Sequence, residues 1–257
     1  MAKSDRDNRA KRQASGGQSP AEQPPPVDAT ESGRLLQLQT QGLRLAGLLA
    51  ARLCQEASGC VGTLAEAIGI ASRDAGSSTE ALALAAGVAG ALSARLNLLR
   101  AAWAGADETL DHAALRALCV GLPPQVSIDF AGLPAGRGFS SAAGRVLLNA
   151  LLLAAESLPS GGAVIVAEAG PEDVLIVPHG PRAGWPQGMA TWMADPASPW
   201  RAIATAASHG LQGPLTVLLA HVAGIRMSFA LAATAEAAPP LLLRFPLTPT
   251  GSTRSAK

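Results

Sequence analysis

The sequence predicts an α+β protein: a long antiparallel helical hairpin followed by a small α/β sandwich. Three observations carry this expectation. Leu35 to Ala71 is helical in pattern and contains no proline. Leu82, Ala85, Ala89, Leu92, Leu96, Leu99 and Trp103 recur at alternating spacings of 3 and 4, an unbroken heptad seam. After Gly105 the texture changes to short helical runs interleaved with alternating, β-rich ones.

The first helix offers a looser stripe of Ala50, Leu53, Ala57, Val61, Leu64, Ile68 and Ala71. Arg73 to Thr79 reads as a turn, with Gly76 ending one helix and Ser78 or Thr79 capping the next, which runs to about Ala104. Two such helices form a hairpin. Both stripes are wide and alanine-rich, and one hairpin cannot cover them. Two hairpins are therefore expected to pair as a four-helix bundle in a homodimer.

In the second half, Asp107–Val120 reads as an amphipathic helix stopped by Pro123-Pro124, and Gln125–Phe130 as a strand. Ser140–Leu158 is a strongly apolar helix, with Ser140-Ser141 as its N-cap. Ala163–Ala167 and Val174–Val177 form a hairpin around Gly170-Pro171. A Gly/Pro/Trp loop covers 180–188, and short helices flank Pro199. A helix at Leu215–Ala223 precedes strands at Arg226–Ala230 and Leu241–Phe245. The expected organisation is a disordered tail over 1–33, the hairpin over 34–105, the α/β domain over 106–247 and a second disordered tail over 248–257.

Composition removes several function classes. The 257 residues carry a net charge of +1, so the chain as a whole has no pull toward nucleic acid or an anionic membrane. The apolar runs at Val146–Ala155 and Leu215–Ile225 are interrupted by Asn149 and His221, and read as buried helices. Three scattered cysteines, Cys54, Cys60 and Cys119, give neither a disulfide framework nor a zinc pattern. No signal peptide, P-loop, Gly-x-Ser-x-Gly or Cys-x-x-Cys motif occurs. The chain reads as cytoplasmic, without metal or cofactor.

Ala51-Arg52-Leu53-Cys54-Gln55-Glu56, continuing through Ser58-Gly59-Cys60-Val61-Gly62, resembles the signature of ChpT-type histidine phosphotransferases, which reads Ala-Arg-Leu-Cys-His-Asp. Leu98–Gly105, Leu148–Leu151 with Leu158–Gly162, and Gly210–Gly224 resemble later parts of the same family, in order. The resemblance implies a histidine-kinase-like protein that dimerises through its hairpin and has lost its ATP site. It also implies partners: receiver domains of response regulators or hybrid kinases, which exchange a phosphoryl group with a histidine.

That histidine aligns with Gln55. A neutral imidazole has a free lone pair and attacks phosphorus. An amide nitrogen has its lone pair delocalised and does neither. The acid after it survives as Glu56. With Leu53 and Ala57 inward, Gln55 points to solvent. Two readings stay open: an ordinary exposed helix residue, or the centre of a docking surface formed by Arg52, Gln55, Glu56, Gly59, Gly62 and Thr63.

Bergerat-type kinase domains hold magnesium with an asparagine and read adenine with an aspartate. By the same resemblance the magnesium position falls on Leu153, one turn after Asn149, and the adenine position near Pro178, before Gly180. Neither leucine nor proline has the needed side-chain oxygen, so no nucleotide binding is expected. His112, His179, His209 and His221 have no metal-ligand spacing, and a substitute acceptor would fall first on His112 or His209. The expected role is a phosphorelay protein that docks receivers without carrying phosphate. The alternatives are a phosphotransferase using another histidine and a dimeric scaffold.

Overall fold

A computed structural model describes residues 29–73, 76–104, 109–231 and 238–246. Two compact units divide the chain, residues 1–40 and 41–257. In the first, residues 29–40 open helix α1 (Ala29–Arg73). Side chains 31–40 are all exposed there, and the Thr40 hydroxyl donates to the Leu36 carbonyl at 2.9 Å. The helix starts at Ala29 rather than near Leu35, so residues 29–33 are helical. The remainder of both expected tails lies outside the described residues.

In the second unit, α1 is followed by α2 (Ser78–Ala104). Glu56 lies 17 residues before the end of α1, and Arg95 lies 17 residues after the start of α2. The two side chains meet in an ion pair at 2.7 Å, so the helices run antiparallel as the seams predict. Within one chain the seams are half covered. Ala85 and Leu99 are buried, Leu92, Leu96, Ala57 and Leu64 are intermediate, and Leu53, Val61, Ile68, Leu82 and Ala89 stay exposed. Among the described residues α2 is the one helix long and apolar enough to cross a bilayer by length and composition. Its C-terminal end enters the protein core, with Leu98, Leu99, Ala101 and Ala102 buried.

Helix α3 spans His112–Cys119, shorter than the pattern Asp107–Val120 suggested. The physical reason is local. The Asp111 carboxylate caps the helix by accepting from the Ala114 amide at 2.7 Å. One residue earlier, Leu110 is drawn into a bridge with Phe139, exchanging backbone hydrogen bonds at 2.8 and 2.9 Å. Residues 107 and 108 lie outside the described residues.

Five strands follow: β1 (Val126–Gly132), β2 (Gly162–Gly170), β3 (Asp173–His179), β4 (Arg226–Phe229) and β5 (Leu241–Arg244). They form one sheet in the order β1-β2-β3-β5-β4. Only β1 and β2 pair in parallel, and helix α4 (Ser141–Glu156) makes the crossover between them. The β2–β3 hairpin matches the expectation, with Val166 opposite Ile176.

Helix α4 is the centre of the fold. Twelve of its 16 residues are buried, because α2, α7 and the sheet cover it on different sides. A helix apolar all round can only sit so. Ser140 caps it, as expected, accepting from the Ala143 amide at 3.3 Å. Helices α5 (Met189–Ala194) and α6 (Ser198–Thr205) follow. Pro199 falls inside the first turn of α6 rather than between the two helices, since a first-turn amide needs no intrahelical partner. Pro214 has the same place in α7 (Gln212–Val222), which therefore begins before Leu215.

Candidate functional site

The α1 segment around Gln55 presents two kinds of surface. Gln55, Gly59, Gly62 and Thr63 are exposed. A Cβ at Gly59 or Gly62 would meet nothing within 4 Å. The Thr63 hydroxyl returns to the Gly59 carbonyl at 3.2 Å and stays on its own helix. Arg52 is different. Its side chain is 8% exposed, and its Nη2 donates to Glu156 at the end of α4. It braces the helix face from beneath instead of offering a surface charge.

Glu56 is half-buried and receives Arg95 twice, Nε at 3.1 Å and Nη2 at 2.7 Å. Burial alone would raise its pKa. The Arg95 hydrogen bonds and charge, with the Arg52 charge 3.9 Å away, outweigh that and hold it below the ordinary value. Glu156 goes the other way: desolvation raises it despite the pull of Arg52. Two cations and two carboxylates thus link α1, α2 and α4 next to residue 55 in the chain.

Gln55 is itself engaged. Its Oε1 accepts from the Ser208 hydroxyl at 2.9 Å. Ser208 belongs to a single 3-10 turn, Ser208–Gly210, that leads into α7. Between the turn and α1 lies an open cleft of about 810 Å³, with Arg52, Gln55, Glu56, Glu156, His209 and Gln212 among its walls. Two of these carry buried polar atoms without a hydrogen-bond partner among the described residues: Nε and Nη1 of Arg52, and Oε1 of Gln212. The volume is in the range of small-ligand sites.

The positions that the resemblance would assign to an ATP site are taken up by core and backbone packing. Asn149 is fully buried and its amide is consumed. Its Nδ2 donates to the Ala102 carbonyl at 2.5 Å and the Arg145 carbonyl at 2.8 Å, and its Oδ1 accepts from Gln212 Nε2 at 3.0 Å. Thr216 closes the network by donating to the Gln212 carbonyl at 2.7 Å. Asn149 therefore ties α2 and α7 to α4. Leu153 is 0% exposed and fills the core. Pro178 is buried in β3 opposite Val164. A Cβ at Gly180 would stand 2.6 Å from the Gly161 carbonyl oxygen, so backbone packing explains that glycine.

The remaining candidates separate in space. The His112 ring stands edge-on to Phe130, with centroids 5.7 Å apart. His221 Nε2 lies 3.0 Å from the Trp192 carbonyl. His179 ends β3. Only His209 shares the cleft with Gln55. Burial pushes the Cys119 thiol up to about 12, which leaves no thiolate there for chemistry. Among the described residues no three His, Cys, Asp or Glu side chains group as metal ligands. Sequence reading missed Arg95, Glu156, Ser208 and Gln212 as members of the site. They lie 39 to 153 residues from their partners, and no local pattern encodes such a pairing.

Comparison with known proteins bears on this arrangement. Residues 125–235 match the model of the histidine phosphotransferase C-terminal domain. No curated protein matches the chain in sequence. A solved bacterial phosphotransferase superposes with a TM-score of 0.61 at 24% identity, over 79% of this chain and 96% of its own. The stretch 125–235 thus carries the sequence pattern of a histidine phosphotransferase C-terminal domain, within a fold this chain shares with a bacterial phosphotransferase.

Proposed function

We propose that this chain works in a phosphorelay by docking receiver domains of response regulators or hybrid kinases on the α1 face around Gln55, and that position 55 itself holds no phosphoryl group. The family match and the shared fold support a phosphorelay-related role. One observation carries the finer reading: the helix face keeps its exposed residues and its ion-paired Glu56, while the residue at its centre is an amide. Such an amide can donate and accept hydrogen bonds to a partner but cannot attack phosphorus.

The hairpin of residues 34–105 is read as a homodimerisation stem and residues 106–247 as a degenerate kinase-like domain without nucleotide. The exposed stripe of Leu53, Val61, Ile68 and Leu82 supports the stem, since a second hairpin would cover it. That cover also accounts for the apolar N-terminal half of α2 without a membrane. The near-neutral charge favours protein partners over nucleic acid, and the free cysteines Cys54, Cys60 and Cys119 suit a reducing cytoplasm.

The test is direct binding. Purified receiver domains from the same cell are titrated calorimetrically into the full chain. Binding that weakens at least tenfold on Thr63→Arg or Gly59→Arg, both exposed, is the expected result. Binding unaffected by either substitution would remove the docking face from α1.

A further inference from the structure

We infer that His209 is the phosphoryl acceptor of this chain, taking over the chemistry that Gln55 cannot perform. The inference rests on the receiver-docking reading and extends it to the turn across the cleft. His209 is exposed and lines the same cleft as Gln55, whereas His112, His179 and His221 do not. Its chain neighbour Ser208 already touches the Gln55 side chain at 2.9 Å. A partner aspartyl phosphate presented to α1 at residue 55 therefore arrives within one residue of an accessible imidazole.

The surroundings favour a phosphoryl group. Helix α7 begins at Gln212, two residues after the 3-10 turn, with Leu211 at its N-cap and no side-chain cap. Of its first three residues, Gln212 and Gly213 have main-chain amides without an intrahelical acceptor, at the positive end of the helix, and Pro214 has none. Arg52 lies beneath the same wall, and its buried guanidinium, held by Glu156, lends the cleft positive potential rather than a direct contact. The cleft's two carboxylates, Glu56 and Glu156, are each already paired with an arginine. Gly210 leaves space beside the histidine, since a Cβ there would meet nothing within 4 Å.

The step balances without an added co-reactant. A lone pair on a neutral His209 ring nitrogen attacks the phosphorus of the receiver's aspartyl phosphate. An N–P bond forms as the P–O bond to the aspartyl carboxyl oxygen breaks, and the aspartate leaves as carboxylate with the electron pair. The proton on the other ring nitrogen is then free to exchange with solvent. Attack by a second receiver's aspartate runs the same step in reverse.

Purified receiver domains of response regulators and hybrid kinases from the same cell are loaded with radiolabelled acetyl phosphate, cleared of donor and mixed with the full chain. The expected result is acid-labile, base-stable label on the chain. Label is lost on His209→Ala and on His209→Gln, and kept on His112→Ala and His179→Ala. Mass spectrometry of the labelled wild type assigns the phosphoryl group to His209. Receiver binding without label, or label at any other residue, overturns the inference and leaves the docking reading standing. Failure of every receiver to bind overturns both.

Discussion

Glu56 on α1 and Arg95 on α2 face each other through two hydrogen bonds, at 3.1 and 2.7 Å, with Glu56 lining the same cleft as its neighbour Gln55. Arg52 and Glu156 extend the pairing to α4. The hairpin and the α/β layer are thus held together electrostatically at the point where the candidate site lies. Breaking such a pair leaves a charge stranded in a partly desolvated place.

Glu56→Gln is therefore expected to cost about 1–3 kcal/mol at neutral pH. The fold holds Glu56 below its ordinary value of 4.5, so its contribution is complete above that value and is lost as pH falls through the folded pKa. Chemical denaturation from pH 7 down to pH 3 checks this (about four units, spanning the carboxylate range). The variant should show a shallower acid loss than the wild type.

Glu156 has the opposite sign. Its folded pKa is raised, so its ionisation opposes folding as pH climbs from 4.5 through the folded value. Glu156→Gln removes that penalty but strips Arg52, 8% exposed, of its nearest carboxylate. The stranded guanidinium dominates, and a net loss of about 2–4 kcal/mol is expected. Arg52→Met together with Glu156→Gln should recover at least half of it in a double-mutant cycle.

Leu153, where the resemblance would put a magnesium ligand, is a packed core side chain. Leu153→Ala should cost about 2–5 kcal/mol. Leu153→Asn should destabilise as well and should not bring nucleotide binding, because Asn149 and Pro178 remain committed to the core and the sheet. Magnesium-ATP is expected to leave the melting temperature of wild type and variant unchanged. A rise that saturates with nucleotide would overturn the proposal that residues 106–247 bind no nucleotide.

Ile68 and Leu82 are 52% and 55% exposed on the two seams of a single chain. Paired Glu substitutions at both positions should convert a dimer to a monomer, read as a halved mass by sedimentation equilibrium. The α/β core should keep its thermal transition, since both side chains lie outside the buried clusters. A wild-type chain that sediments as a monomer would end the four-helix-bundle proposal.

Gln55→His tests the docking face independently of the turn. In a His209→Ala background, labelling from a phosphorylated receiver is expected to reappear when residue 55 becomes an imidazole. No regained label, with receiver binding intact, would mean that the docked aspartyl phosphate does not reach α1.

Much of the architecture was legible because its signals are local. Two helical stretches joined by the short Arg73–Thr79 turn implied an antiparallel hairpin, and alternation around Gly170-Pro171 implied a β-hairpin. Ser140 stood where a cap must stand. Where local signals competed, boundaries moved. Leu110 left the expected helix for a bridge to Phe139, and Asp111 took over as cap. Pro199 reads as a separator between short helices, yet the first turn of a helix accepts proline.

By itself the sequence determined the succession of helices and strands, the exposure of residue 55 and the chemical fact that an amide stands there, since periodicity and side-chain identity need no partner. Only the tertiary structure decided that Arg52 is a buried brace, that Asn149 is spent on Ala102 and Gln212, and that His209 shares a cleft with Gln55. Those relationships join residues 47 to 154 positions apart in the sequence. Their energies depend on desolvation and geometry, which exist only once the chain has folded.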